Sequence, residues 1–252
     1  MKKIMLVLTF FIFLTTELLG QMQFNVLVFT KTDGYRHESI LQGVPAIKKL
    51  AEKHQFGVFW TEDAGVFSDS TLKEYDVILF LNNDGNVLNP SQQQAFKNHI
   101  ERGNGFVGIH GASATELEWD WYGQLVGRWF IKHPKVQTAR LNRLNSTFPG
   151  MSGFPEHMLW TDEWYVFTEE KSPNLNYLLS VDESTFDTKR GWKTGEDHSM
   201  GDFHPIAWYH KVHGGRSFYT GLGHIGVAFQ SEIFLQHIYG GIFWAATGIG
   251  LQ

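Results

Sequence analysis

The sequence predicts an α/β protein: an open, mainly parallel sheet covered by helices on both faces, with extra antiparallel strands inserted in the second half. Three observations carry the prediction. The strand-like runs of the first half are continuously apolar rather than alternating, as strands buried on both faces must be. They alternate with segments of helical period, the arrangement that wraps a parallel sheet. At the end of the fourth run, Phe106-Val107-Gly108-Ile109-His110-Gly111-Ala112-Ser113 places glycines on both sides of one polar residue. Such a turn lifts a side chain over the carboxyl edge of a sheet.

In chain order, Phe24 to Thr30 reads as a buried strand closed by the polar loop Lys31 to His37. Ser39 to His54 carries Ile40, Leu41, Val44, Ile47, Leu50 and Ala51 at helical spacing, with Pro45 expected to kink it. Val58 to Thr61 is a short strand and Asp76 to Leu81 a continuous apolar one. Pro90 opens a helix at its favoured first position, running to about Arg102, before the strand Gly105 to His110. From Trp119 to about Val212 aromatic, polar and glycine residues mix. Val136 to Leu141 and Asn176 to Val181 read as antiparallel strands of an elaboration folded onto the sheet. Arg216 to Gly221 is a late core strand, and Ser231 caps a final helix that ends near Ala246.

At 252 residues the chain suits one large domain. A net charge of −5 offers no basic stripe for phosphates, which argues against a nucleic-acid partner. The absence of cysteine excludes thiol catalysis, disulfides and a lipoprotein anchor. Lys2 and Lys3 before the apolar run Ile4 to Leu14, with small or polar residues up to Gly20, form a secretory signal too short for a comfortable membrane span. Residues 1–20 are therefore expected to be removed, leaving 21–252 as an exported, periplasmic or secreted domain with no membrane span.

Ligands of open α/β sheets bind beyond the carboxyl ends of the strands. Asp33 to His37 follow the first strand, Asn82 to Asp84 the third, His110 and Ser113 the fourth, and Gly223-His224 the late one. Four loops thus bring His or Asp to one rim. His110, at the elbow, is the leading catalytic candidate, and His37 can equally cap the helix after it. The middle region adds His133, the pair Asp162-Glu163 beside Trp164 and Tyr165, and His204-Pro205 leading to Trp208. Carboxylates beside aromatic faces suit a sugar, which stacks on rings and offers hydroxyls to acids. Adjacent residues of an extended chain face opposite ways, so only one of Asp162 and Glu163 enters a given pocket, with Glu163 preferred. Seven of the nine tryptophans fall between residues 119 and 208, which suggests an aromatic cleft. His110, His133 and His204 with a carboxylate can make a divalent, zinc-type site, although no short metal motif is present. His54, His99, His210, His213 and His237 read as surface or packing residues.

Phe29 to Ser39 (FTKTDGYRHES), Gly103 to Ala112 (GNGFVGIHGA), Asp162 to Tyr165 (DEWY), His204 to Trp208 (HPIAW) and Gly215 to His224 (GRSFYTGLGH) together resemble the ThuA-like, trehalose-utilisation family. The resemblance implies a flavodoxin-like or class I glutamine amidotransferase-like fold in which His110 stands where that fold carries its thiol, so amidotransferase activity is not implied. It implies a role in catabolism of trehalose and related disaccharides, at the level of keto-sugar derivatives. The resulting expectation is isomerisation, epimerisation or glycosidic cleavage of a small-molecule sugar. His110 and Glu163 or Asp162 would do the proton transfer. His37, His204, His224 and Asp84 would bind hydroxyls, and Trp164, Trp208 and Tyr219 would stack on the ring. A non-catalytic carbohydrate-binding protein and a metal-dependent hydrolase of another substrate are the alternatives.

Overall fold

The chain enters its sheet at β1 (Asn25–Phe29), buried over its last four residues because parallel neighbours flank it on both sides, β2 (Gly57–Thr61) and β3 (Val77–Leu81). The computed structural model describes residues 22–191, 193 and 195–250; the amino-terminal segment read as a signal, and Trp192, lie outside the described residues. α1 (Ile40–His54) buries Ile40, Val44, Ile47, Leu50 and Ala51 and runs on through Pro45. A four-residue helix, α2 (Asp69–Leu72), leads into β3, all five of whose residues are buried. α3 (Pro90–Glu101) starts in a reciprocal capping box between Asn89 and Gln92, with proline at its first turn as the sequence predicts. The fully buried β4 (Gly105–Ile109) follows, then α4 (Asp120–Val126).

The second half is mostly strand: β5 (Phe130–Lys132), β6 (Gln137–Arg143), β7 (His157–Asp162), β8 (Val166–Phe167), β9 (Asn176–Asp182), β10 (His204–Val212) and β11 (Gly215–Thr220). α5 (Glu232–Thr247) closes the described chain, capped by the Ser231 hydroxyl. Among the described residues the main sheet has nine strands in the order β2-β1-β3-β4-β11-β10-β9-β6-β7. The first five are mutually parallel and the rest antiparallel. The inserted strands therefore extend the sheet edge to edge rather than packing onto its face, and β5 and β8 form a separate short ladder.

Alternation along the strands sends side chains to two helical layers. Phe80 and Phe106 meet Phe96 of α3 and Tyr122 of α4 on one face. Phe218 meets His237 of α5 on the other. Gly105 has a packing reason to lack a side chain: a Cβ there would lie 2.4 Å from the Ala245 carbonyl oxygen of α5. No helix among the described residues is long and apolar enough to cross a membrane.

His99, His210 and His237 are packing residues in a stronger sense than the sequence suggests, being 0–1% exposed. Burial lowers their pKa values, to about 4 for His99 and His210 and about 3 for His237. A buried imidazole with a depressed pKa binds fewer protons folded than unfolded, so stability falls as pH drops below the unfolded value of 6.5 and keeps falling down to the folded values. Urea unfolding at about pH 5 is expected to give a lower midpoint than at about pH 7.5, and His237→Leu to narrow the gap. A midpoint independent of pH across that range contradicts the account.

Candidate functional site

β1, β3, β4 and β11 run in the same direction and side by side, so the loops at their carboxyl ends leave toward one rim. At the end of β4, His110 turns the chain with φ of 47°. That left-handed conformation costs a non-glycine residue about 1–2 kcal/mol. The elbow continues as a single 3₁₀ segment, His110–Ala114, rather than a long helix. Hydrogen bonds hold it: the Tyr219 hydroxyl donates to the His110 carbonyl at 2.9 Å and the Tyr122 hydroxyl to the Ala112 carbonyl at 2.7 Å. Asn82, ending β3 with φ of 54°, accepts from the Gly111 N–H at 3.2 Å and donates to the Ser39 hydroxyl at 2.9 Å.

Over this elbow the imidazoles converge on Glu163. His110 donates from Nδ1 to the Gly221 carbonyl at 2.7 Å, which directs Nε2 toward Glu163 Oε2, 3.4 Å away. His224 follows β11 and Gly223, whose φ of 108° is one that only glycine adopts readily, and its Nδ1 lies 3.2 Å from the same oxygen. The His37 ring stands edge-on to those of His110 and His224, with centroids 4.9 and 5.3 Å apart. His133, after β5, places Nδ1 2.8 Å from Glu163 Oε1 and 2.9 Å from the Pro134 carbonyl. One donor atom from each of His37, His110, His224 and Glu163 lies within 4.8 Å of the others, so these four can hold a metal ion.

The electrostatics follow from burial and crowding. Burial alone would raise the Glu163 carboxyl, but the imidazoles of His110, His133 and His224 outweigh it and hold the pKa well below the usual carboxylate range. Burial, reinforced by the neighbouring His110 and His224, lowers His37 to about 2, so its ring is neutral. Burial opposes charge on His133 as well, yet its hydrogen bond to Glu163 wins and its pKa is raised. Burial also raises Asp84, partly offset by the Tyr35 N–H that it accepts at 2.9 Å.

His37, His224, Glu163, His133 and Asp84 face a cavity of about 520 Å³ walled by the rings of Tyr35, Phe130 and Tyr165. His110, fully buried, lies beneath its floor, 4.1 Å from the Tyr165 ring between centroids.

Other sequence-predicted residues lie elsewhere. Asp162 turns away from the cavity: Oδ1 accepts the N–H groups of Glu163 and His224 at 3.0 Å, and Oδ2 those of Gly223 at 2.9 Å and the Trp160 indole at 3.0 Å. All four donors go to one fully buried carboxylate, which ties the Gly223-His224 loop to the end of β7. Trp164 and Trp208 are fully buried and donate their indole N–H to the carbonyls of Gln137 and Val126, so neither offers a stacking face. Tyr219 supports the elbow from below. His204 begins β10 behind the cavity wall, donating from Nε2 to the Tyr165 carbonyl at 2.9 Å and from Nδ1 to Glu183 at 2.7 Å. It is therefore no metal ligand, and His133 reaches the cluster only through Glu163. His37 and His224 occupy the places that the sequence assigned to these two.

Trp119 and Trp121 stack on each other and meet Phe96 of α3 edge-on, and Trp160 packs on Phe234 of α5, while the cavity wall is made of tyrosine and phenylalanine. Period-two alternation identifies part of that wall: Glu163 and Tyr165 share one side of an extended segment, Asp162 and Trp164 the other. Nothing in the sequence marks Phe130, because its position depends on β5 pairing with β8.

A sheet with imidazoles and a carboxylate gathered over its carboxyl edge, beside an aromatic-walled cavity, defines an α/β protein with a candidate site at the strand ends. The chain belongs to the trehalose-utilisation (ThuA) family, which matches it over residues 25–245. Among solved structures it is similar to a ThuA-like protein from Bacteroides uniformis ATCC 8492, with TM-score 0.76 and 22% identity over 90% of this chain and 92% of that one. A ThuA-like protein from Parabacteroides merdae ATCC 43184 aligns with TM-score 0.70 and 19% identity over 91% and 92%. No curated protein of established function matches. The family supports a sugar-related role.

Asp162→Asn replaces one acceptor oxygen by an amide that cannot accept, leaving two of the four buried N–H donors unpaired, one of them from the Gly223-His224 loop. Urea unfolding is expected to show a loss of about 2–4 kcal/mol. A change below about 0.5 kcal/mol would contradict the clamp.

Proposed function

We propose that the protein is an exported enzyme of disaccharide utilisation that acts on a keto-disaccharide or keto-glycoside in the cavity above His110. The observation that carries this reading is the union, in a trehalose-utilisation family member, of clustered imidazoles and carboxylates with an aromatic-walled cavity of about 520 Å³. Pockets of this volume enclose small ligands, and ring faces stack on the apolar faces of sugars.

A sugar carbonyl acidifies the neighbouring C–H. A base removes that proton, the electron pair moves into the C–C bond and onto the carbonyl oxygen, and the enolate has two outcomes. Return of a proton to the other face epimerises the carbon. Departure of the glycosidic oxygen, protonated by an acid, cleaves the glycoside, and water adds back to the double bond. Asp84, whose raised pKa makes it a better base than an ordinary aspartate, takes the proton in this reading. His133, with its raised pKa, supplies one to the leaving oxygen. His110, beneath the floor, organises the cluster rather than touching the sugar.

Product analysis of the mature protein with trehalose and with trehalose oxidised at one ring tests the reading. Conversion is expected for the oxidised sugar alone, and Asp84→Asn is expected to lower kcat by about 10²–10⁴-fold. The acid limb of kcat/KM is expected above the ordinary aspartate value of about 4, because the base must be deprotonated to act. Sugar binding with no conversion of either compound would leave a carbohydrate-binding protein. Export belongs to the same proposal: amino-terminal sequencing of the protein recovered outside the cytoplasm is expected to begin near Gln21, and recovery of intact Met1 would remove it.

A further inference from the structure

We propose that His37 Nδ1, His110 Nε2, His224 Nδ1 and a Glu163 carboxylate oxygen coordinate one divalent transition-metal ion, of the zinc class, with an open position toward the cavity. The ligand types are three neutral-type nitrogens and one hard oxygen, with no sulfur, which suits zinc and its first-row neighbours rather than calcium or magnesium.

Two independent observations point to a ligand. His37 and His110 are 4% and 0% exposed, yet His37 Nδ1 and His110 Nε2 have no hydrogen-bond partner, and His224 Nδ1 shares that condition. Three buried ring nitrogens left unpaired around one point are costly unless something accepts their lone pairs. The tautomer of His110 is set independently: its Nδ1 donates to a carbonyl, which can only accept, so Nε2 is free to bind a cation. A ring N–H held by a backbone carbonyl, as that of His110 is by Gly221, is the usual companion of a metal-bound histidine.

The spacing argues for an ion over a direct hydrogen bond. Nε2 of His110 and Nδ1 of His224 lie 3.4 and 3.2 Å from Glu163 Oε2. A charge-assisted N–H···O bond is shorter, about 2.7–2.9 Å. Donor atoms at about 2.0–2.1 Å from a zinc that has expanded beyond four ligands stand about 3 Å apart when adjacent and about 4 Å apart when opposite. The two pairs at 3.2 and 3.4 Å are adjacent ones, all four donors lie within 4.8 Å of one another, and such an ion keeps a position for a further ligand. The surroundings complete the arrangement. His133 holds the second oxygen of Glu163 at 2.8 Å, and the Asp162 carboxylate fixes the backbone N–H groups of both Glu163 and His224 at 3.0 Å.

His37, Glu163 and His224 line the cavity while His110 lies below, so an ion among them presents its free face to the cavity. A carbonyl oxygen with a neighbouring hydroxyl is the group this face would take. That assignment of the open-face ligand rests on the sugar reading above; the ion itself is tested without substrate.

The full-length mature protein, stripped with chelator, is titrated with zinc chloride against a chromophoric competitor, with elemental analysis of the loaded protein. One zinc per chain is expected, with a thermal midpoint that rises as zinc is added. His37→Ala and His224→Ala are each expected to weaken binding by at least about 100-fold, while His157→Gln on the surface leaves it unchanged. Should the alanine variants fail to fold, cobalt(II) loading of the wild type replaces them: visible bands of a nitrogen- and oxygen-ligated ion are expected. Substoichiometric zinc without a thermal shift, binding that survives both substitutions, or a cobalt spectrum of the hydrated ion would overturn the site. Stoichiometric zinc in a protein that converts no sugar keeps the metal site and removes the sugar reading. Sugar conversion by a protein that binds no stoichiometric zinc does the reverse.

Discussion

Two adjacent acidic side chains, Asp162 and Glu163, are buried at the end of β7, and the surrounding structure is arranged around giving both of them polar partners. An isolated carboxylate taken from water is expensive, so each needs donors or cations in place of the solvent. Asp162 finds four N–H groups, two of them from the loop after β11. Glu163 finds imidazoles from the loops after β4, β5 and β11. Because the two side chains point opposite ways, one residue pair ties the outermost strand of the antiparallel extension to the carboxyl edge of the parallel half. The cavity forms where those two parts meet.

This constraint explains why the elbow is tolerated. His110 occupies a strained conformation at the end of β4. Its carbonyl is held by Tyr219 and its ring by Gly221, both contributed by β11 or the loop that follows it. In an elbow carrying a nucleophile the side chain stands free to attack. Here the ring is tied at one nitrogen and buried, which suits holding a ligand or a charge in place. The chemistry proposed for the cavity therefore passes to residues on its wall, Asp84 and His133.

The parallel half was legible because it obeys local rules. Apolar runs such as Val77 to Leu81 have one stable use, as strands buried on both faces, and Pro90 after Asn89 starts a helix wherever it occurs. The antiparallel half was legible only in pieces. β7 alternates exposed and half-buried residues up to the buried Asp162, but its pairing with β6 joins segments whose adjacency no local signal reports. Likewise His204 reads as a site residue until β10 is seen to place it behind Tyr165 rather than in front. Trp164 and Trp208 look like stacking platforms until their indoles are found donating to backbone carbonyls inside the core.

The sequence by itself determined the α/β order of the elements, the absence of any thiol, and the delivery of His37, Asp84, His110 and His224 to strand ends that share one rim. Those properties are local or additive: an apolar run, a glycine pair and a residue count mean the same thing in any context. Only the tertiary structure decided which way each side chain turns at that rim. It gathered His37 with His224 rather than His204 around Glu163, the carboxylate that strand alternation had already favoured, and built the walls from Tyr35, Phe130 and Tyr165. Such choices depend on which donors are available to each buried polar atom, and those donors come from chain segments tens to more than a hundred residues away.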